Sequence, residues 1–132
     1  MTTPMTVDEA RRRAAAHAEA AAALLAPAVV ESQEVPDSAC VDVVPPGAIS
    51  VAARVWVRGV DVGAALTRLY EQWTGDGYEI LDDRRAGPAR TLLVGHPGDG
   101  FWLRASVNVR DELMITVSSP CLWPGGSTPS AD

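Results

Sequence analysis

The sequence predicts an α+β fold. An N-terminal alanine-rich helix leads into strand–helix–strand and an antiparallel meander, with a sheet of four to five strands and helix 62–74 across one face. Three observations carry this reading. Ten alanines fall between Ala10 and Ala26, which gives high helix propensity and a thin apolar stripe. Val51, Ala53, Val55 and Val57 alternate with Ala52, Arg54, Trp56 and Arg58, the period of a half-buried strand. Val62, Leu66, Leu69 and Trp73 then recur at i, i+4, i+7 and i+11, one face of a helix.

The elements follow in order. Residues 1–5 are a disordered tail. Thr6-Val7-Asp8-Glu9 reads as a capping box, with Thr6 accepting from the Glu9 N–H and the Glu9 carboxylate reaching back to Thr6. The first helix runs to about Ala26, because Pro27 disfavours helical geometry before it, and its stripe is Val7, Ala10, Ala14, Ala18, Ala21 and Leu25. Between Ala28 and Ser50 the periodicity fails. Pro36, Pro45, Pro46 and Gly47 punctuate a long connection, pinned by Cys40, with a short extended piece at Val41–Val44. A strand over 51–59 precedes Asp61, which caps helix 62–74, and Gly75 and Gly77 stop that helix. Strands are expected at 78–82, 90–95, 101–109 and 112–118. The odd faces of the last two match if Val109 pairs with Leu113 across a three-residue turn, which sets Phe101 near Cys121. The expected core is Val55, Val57, Leu66, Leu69, Trp73, Phe101, Leu103, Val107, Leu113 and Ile115. A single domain over 6–123 is followed by a flexible tail, 124–132.

Composition narrows the function. The chain has 132 residues, 11 cations that are all arginine, 17 acids and a net charge of −6. An acidic chain lacks the basic footprint that nucleic acid requires. No run of 18 apolar residues offers a transmembrane segment. The two cysteines, Cys40 and Cys121, are too far apart for a CxxC motif and are either two buried thiols or one disulfide. Their placement before the first clear strand and after the last favours the disulfide, hence an oxidising compartment. The N-terminal segment does not read as a signal peptide, since Asp8, Glu9, His17 and Glu19 break the pattern. The location expected from the cysteines is extracytoplasmic or cell envelope. Cytoplasmic is the alternative, since no signal peptide is read.

The segment Trp73…Gly77-Tyr78-Glu79-Ile80, then Gly100-Phe101-Trp102-Leu103, then Glu112-Leu113-Met114-Ile115, closing on Ser119-Pro120-Cys121, resembles a group of small actinobacterial proteins. Many members of that group look like secreted lipoproteins with a lipidated cysteine upstream of the N-terminal helix. The resemblance spans about residues 7–121 and implies fold and an envelope location, not chemistry. This sequence departs from the group by showing no lipobox.

Candidate chemistry is sparse. No HExxH, Walker A, GxSxG or GxGxxG motif occurs, and neither a cofactor nor a metal site is read from the spacing. Of the two histidines, His17 reads as a surface or boundary residue of the first helix, and His96 with Asp99 reads as turn chemistry. Asp82 and Asp83 read as a solvated charged turn with Arg84 and Arg85. The even-numbered strand face is the residue-level candidate. Arg54, Trp56, Arg58, Trp102 and Arg104 share it, and either the alanine helix covers them or they form an exposed aromatic and cationic surface. The function read from the sequence is a non-enzymatic binding or interaction module of the cell envelope, its partner a protein or envelope component of acidic or polar-aromatic character rather than nucleic acid. The alternatives are a cytosolic partner or immunity-like subunit and, behind it, a small hydrolase using His96 and Asp99.

Overall fold

A computed structural model describes residues 5–41, 46–86 and 90–123. Among these residues two helices and eight strands follow one another as α1 (Val7–Ala23), β1 (Val29–Glu34), β2 (Ser38–Ala39), β3 (Ile49–Ser50), β4 (Ala52–Arg58), α2 (Val62–Gly75), β5 (Glu79–Asp83), β6 (Thr91–Gly95), β7 (Trp102–Val107) and β8 (Leu113–Ser118). The fold is α+β, with a larger sheet than the four to five strands expected. Six antiparallel strands pair in the order β1-β4-β8-β7-β6-β5, and β2 pairs with β3 in a separate ribbon. β5 to β8 form the meander, and α2 carries the chain from β4 to the far edge of the sheet.

The added strand is β1. All six of its residues are exposed, so the sequence V-V-E-S-Q-E carries no burial alternation. It is an edge strand held by backbone pairing to β4, from Val29 opposite Arg58 to Glu34 opposite Ala53. The extended piece expected at 41–44 falls largely outside the described residues; the strand in this region is β2, two residues long. The tails at 1–4 and 124–132 also lie outside them, while Met5 packs against the core.

Both helices lie on one face. The buried face of α1 is Ala10, Ala14, Ala18, Ala21 and Ala22, and it packs over β4 and β8, while α2 reaches β6. One continuous cluster joins those alanines to Val55, Val57, Leu66, Leu69, Trp73, Leu92, Val94, Phe101, Leu103, Leu113, Ile115 and Val117. Methyl side chains let α1 lie close to the sheet, at the cost of little area buried per residue. The expected core is present, except that Val107 is only partly buried.

The ends of the elements have local causes. Thr6 Oγ1 accepts from the Glu9 N–H at 3.0 Å, but the reciprocal half of the capping box is not made, because the Glu9 carboxylate takes Arg13 Nη2 at 2.8 Å. The helix stops at Ala23 rather than Ala26, and the Leu24 carbonyl accepts from Arg68 Nε of α2 at 2.7 Å. Asp61 caps α2 through the Ala64 N–H. At its other end Gly77 takes φ +84°, with Tyr78 N–H donating to the Trp73 carbonyl and Gly77 N–H to Thr74. This six-to-one and five-to-two pair is a Schellman stop, and its apolar contact is the stacked Trp73–Tyr78 ring pair.

Two registers differ from expectation. Val107, not Val109, pairs with Leu113, so the β7–β8 connection runs from Asn108 to Glu112. The Asn108 side chain accepts from the Arg110 and Glu112 N–H groups and Asp111 adopts φ +58°, which closes a five-residue loop and leaves Val109 fully exposed. The shift is two residues, so every side chain keeps its face. It also moves Phe101 off Cys121, because Trp102 already pairs with Ser118. A bulge between Ile80 and Asp82 carries β5 one residue past the expected end and leaves Leu81 exposed.

Cys40 and Cys121 are disulfide-bonded, with Cα atoms 6.2 Å apart across a separation of 81 residues. The bond sits where Cys40 N–H donates to the Ala48 carbonyl and Ile49 bridges Leu122, so it ties the β2–β3 ribbon to the segment leaving β8.

Two outcomes check this architecture. Leu69 is fully buried on α2, so Leu69→Ala is expected to cost about 2–5 kcal/mol in urea melts; a loss under about 1 kcal/mol contradicts the packing of α2. Alkylation of unfolded, unreduced protein is expected to label neither cysteine, and reduction is expected to lower stability by up to about 4 kcal/mol; two labelled thiols in intact-mass spectra contradict the bond.

Candidate functional site

With both helices on the odd-numbered face, the even-numbered face of β4, β8 and β7 has no helix over it among the described residues. The alternative in which the alanine helix covers it is therefore excluded by the packing of α1. Pairing places Arg54 and Arg104 on either side of Thr116 in one cross-strand row, with Gln33 and Leu93 as outer neighbours. Two strand spacings set the two arginine backbones about 10 Å apart. The adjacent row runs Ala52, Ser118, Trp102, Gly95.

A groove of ≈ 190 Å³ lies over these rows, lined by Arg54, Trp102 and Arg104 with Leu93, Met114, Thr116 and Ser118. Trp102 is 58% exposed, far more than an indole on a packed face. Gly95 opposite it contributes no side chain, and a Cβ there would touch both Leu81 and Trp102. Arg54 is half-buried and donates from Nε to Thr116 Oγ1 at 3.3 Å. Neither Arg54 nor Arg104 meets a carboxylate among the described residues. Along β4, β8 and β7 the positions on this face include three arginines and no acid, against a chain charge of −6.

The five residues singled out by the sequence thus divide. Arg54, Trp102 and Arg104 line the groove. Trp56 is half-buried one row away, its Nε1 donating to Gln33 Oε1 at 2.9 Å. Arg58 is neutralised at the sheet end by Glu31 at 3.2 Å and Glu112 at 3.5 Å. Asp82 and Asp83 each pair with the arginine two residues on, at 3.1 and 2.7 Å, and Arg85 also stacks over Tyr70. They form a charged turn rather than a facing carboxylate pair. The Arg85 hydrogen bond holds the Asp83 carboxyl below its ordinary range.

A second constellation was not legible in the chain. His17 of α1 is half-buried, and its Nε2 meets Asp99 Oδ2 at 2.8 Å. Asp99 Oδ1 accepts from the Phe101 N–H at 3.1 Å and stands 3.1 Å from His96 Nδ1. The His96 ring folds over its own turn, Nδ1 accepting from the Gly98 and Asp99 N–H groups at 2.9 and 3.2 Å. A Cβ at Gly98 would stand 3.0 Å from His96 Cε1, so a larger residue there fits only if the His96 ring shifts. His17 packs on Phe101 and His96, and the Tyr78 edge meets His96. His17 is thus a boundary residue, one of the two places read for it, with a polar contact to Asp99 that the reading did not include. The missed signal is its spacing, three residues after Ala14 and four before Ala21, which sets it on the buried stripe. The turn chemistry read for His96 and Asp99 is present, with this contact added to it.

Burial of Asp99 opposes its charge, but the His17 hydrogen bond, the Phe101 N–H and both imidazoles outweigh that, and the carboxyl sits below its ordinary range. Burial, then the Asp76 and Asp99 carboxylates, raises the Tyr78 phenol. A depressed folded-state pKa contributes stability that is present above the unfolded value, about 3.9, and is lost as pH falls through the folded value. Asp99→Asn is expected to lower stability at pH 7 by about 2 kcal/mol and to flatten the acid limb of stability below about pH 4. Urea melts from pH 7 to pH 3 check this; parallel wild-type and variant profiles contradict it.

In comparisons with protein-family models, with curated proteins and with solved structures, nothing matches this chain.

Proposed function

We propose that this protein is a non-enzymatic binding module that engages an acidic protein segment on the open face of its sheet, in the cell envelope. The observation that carries the reading is the Arg54–Thr116–Arg104 row beside the exposed Trp102. Two arginines without carboxylate partners repel each other, and an anionic group between them relieves that repulsion while gaining charge-assisted hydrogen bonds. Trp102, Leu93 and Met114 supply apolar and aromatic contact next to the charge, the residue types of an interface anchor. The acidic surplus elsewhere on the chain disfavours nucleic acid as the occupant. The disulfide supports an oxidising, extracytoplasmic setting over the cytosolic alternative, and the resemblance to secreted lipoproteins points the same way.

The hydrolase reading has one specific observation in its favour, the joining of His17 to His96 and Asp99. The hydrogen bonds described for the two histidines run to Asp99 and from the Gly98 and Asp99 N–H groups, and none of these brings in a serine, threonine or cysteine.

Peptides selected from a random displayed library on the wild-type protein are expected to be acidic with an aromatic or branched apolar neighbour. Arg54→Ser with Arg104→Ser is expected to weaken their binding at least tenfold, and Trp102→Ala by about 2 kcal/mol. The thermal midpoint should stay nearly unchanged in both. Neutral or basic peptides, or equal binding to the double variant, contradict the proposal.

A further inference from the structure

We propose that His17, His96 and Asp99 form a binding site for a divalent transition-metal ion of the zinc class, which clamps α1 to the β6–β7 turn. The site shares no residue with the groove on the open face and does not depend on it.

The donor atoms are already gathered. His17 Nε2 lies 2.8 Å from Asp99 Oδ2, His96 Nδ1 lies 3.1 Å from Asp99 Oδ1, and one ligand atom from each residue falls within 4.8 Å of the others. Tetrahedral zinc with bonds of about 2.0–2.1 Å keeps its ligands about 3.3 Å apart, so side-chain adjustment suffices. Two imidazoles and one carboxylate are a donor set for zinc, cobalt, nickel or copper and a poor one for calcium or magnesium, which take all-oxygen shells.

The electrostatics ask for a cation. His96 Nδ1 accepts two backbone N–H groups, so it presents a lone pair, and 3.1 Å away Asp99 Oδ1 is also an acceptor. The Asp99 carboxylate brings a negative charge to this cluster, and its side chain is only 8% exposed. An ion reaching His96 Nδ1 and this carboxylate satisfies both. It takes the Nδ1 lone pair from both the Gly98 and the Asp99 N–H groups; Gly98 is exposed and its N–H turns to water, while the longer bond from Asp99 N–H is given up. In the tautomer that carries a proton on His17 Nε2 toward Asp99, the ion replaces that proton, which leaves to solvent.

The surroundings suit a held ion. Phe101 N–H fixes the Asp99 carboxylate from behind, and Phe101 and Tyr78 wall the two imidazoles with aromatic surface. Three protein ligands leave a position for water or a further ligand, and a cavity of ≈ 220 Å³ bordered by Trp73, Asp76 and Tyr78 adjoins His17. The ligands come from α1 and from a turn about eighty residues later, so the ion binds the folded chain only and stabilises it.

The test uses the full chain without a histidine tag, stripped with EDTA and dialysed, then titrated with zinc sulfate by calorimetry and thermal melts. One equivalent is expected to bind, and the thermal midpoint is expected to rise by at least about 3 °C at saturating zinc, with no rise in magnesium. His17→Gln is expected to weaken zinc binding at least tenfold and abolish the rise. The chain has only two histidines, so nitrogen-15 spectra of the wild-type imidazoles give a readout that needs no variant: one equivalent of zinc must shift both rings. No binding heat, equal affinity in His17→Gln, or a shift confined to one ring overturns the proposal.

Discussion

The structure depends on a helix that is almost smooth. The buried face of α1 is alanine from Ala10 to Ala22, so its backbone settles close over β4 and β8 while α2 reaches β6 beside it. Bulkier side chains on that stripe would hold α1 off the sheet. Because both helices fit on one face, the core closes there, and among the described residues the opposite face carries no second layer. The same close approach brings His17 down onto Phe101 and into reach of Asp99. Both candidate sites follow from one packing arrangement, the groove by omission and the histidine cluster by proximity.

The bare face is not a general feature of the sheet. At its ends, charges cancel locally, as Arg58 does with Glu31 and Glu112, and Arg84 with Asp82. The centre is different, because antiparallel register brings Arg54 and Arg104 to the two sides of Thr116 and brings no acid with them. Partnered charges at a rim add little to affinity, whereas unpartnered ones at the centre of a patch set what it attracts. In an acidic protein these two arginines make a small cationic area.

Long-range ties hold the N-terminal third to the meander and hold its own parts together. The disulfide joins the β2–β3 ribbon to the end of β8, the His17–Asp99 contact joins α1 to the β6–β7 turn, and Arg11 with Asp37 at 2.6 Å joins α1 to the connection after β1. None of these is local in sequence, and each works at an element that buries little apolar area of its own. Alanine helices and two-residue strands gain little from the hydrophobic effect, so covalent and polar ties contribute more to their placement.

The sequence by itself determined what depends on local pattern: the alanine helix and its stripe, helix 62–74, the meander, the odd-numbered core, and the sharing of one face by Arg54, Trp56, Arg58, Trp102 and Arg104. These are readable because periodicity reports burial directly. Only the tertiary structure decided the rest. β1 was invisible because an edge strand exposed on both faces is held by backbone hydrogen bonds, which leave no apolar period. The Val107–Leu113 register turned on an Asn108 side chain closing a five-residue loop, a choice parity does not make. Which face α1 covers, and hence whether the arginines are bare, is a packing outcome that the same alanine stripe permits either way. The meeting of His17 with Asp99 joins residues 82 positions apart, and no spacing rule spans that distance.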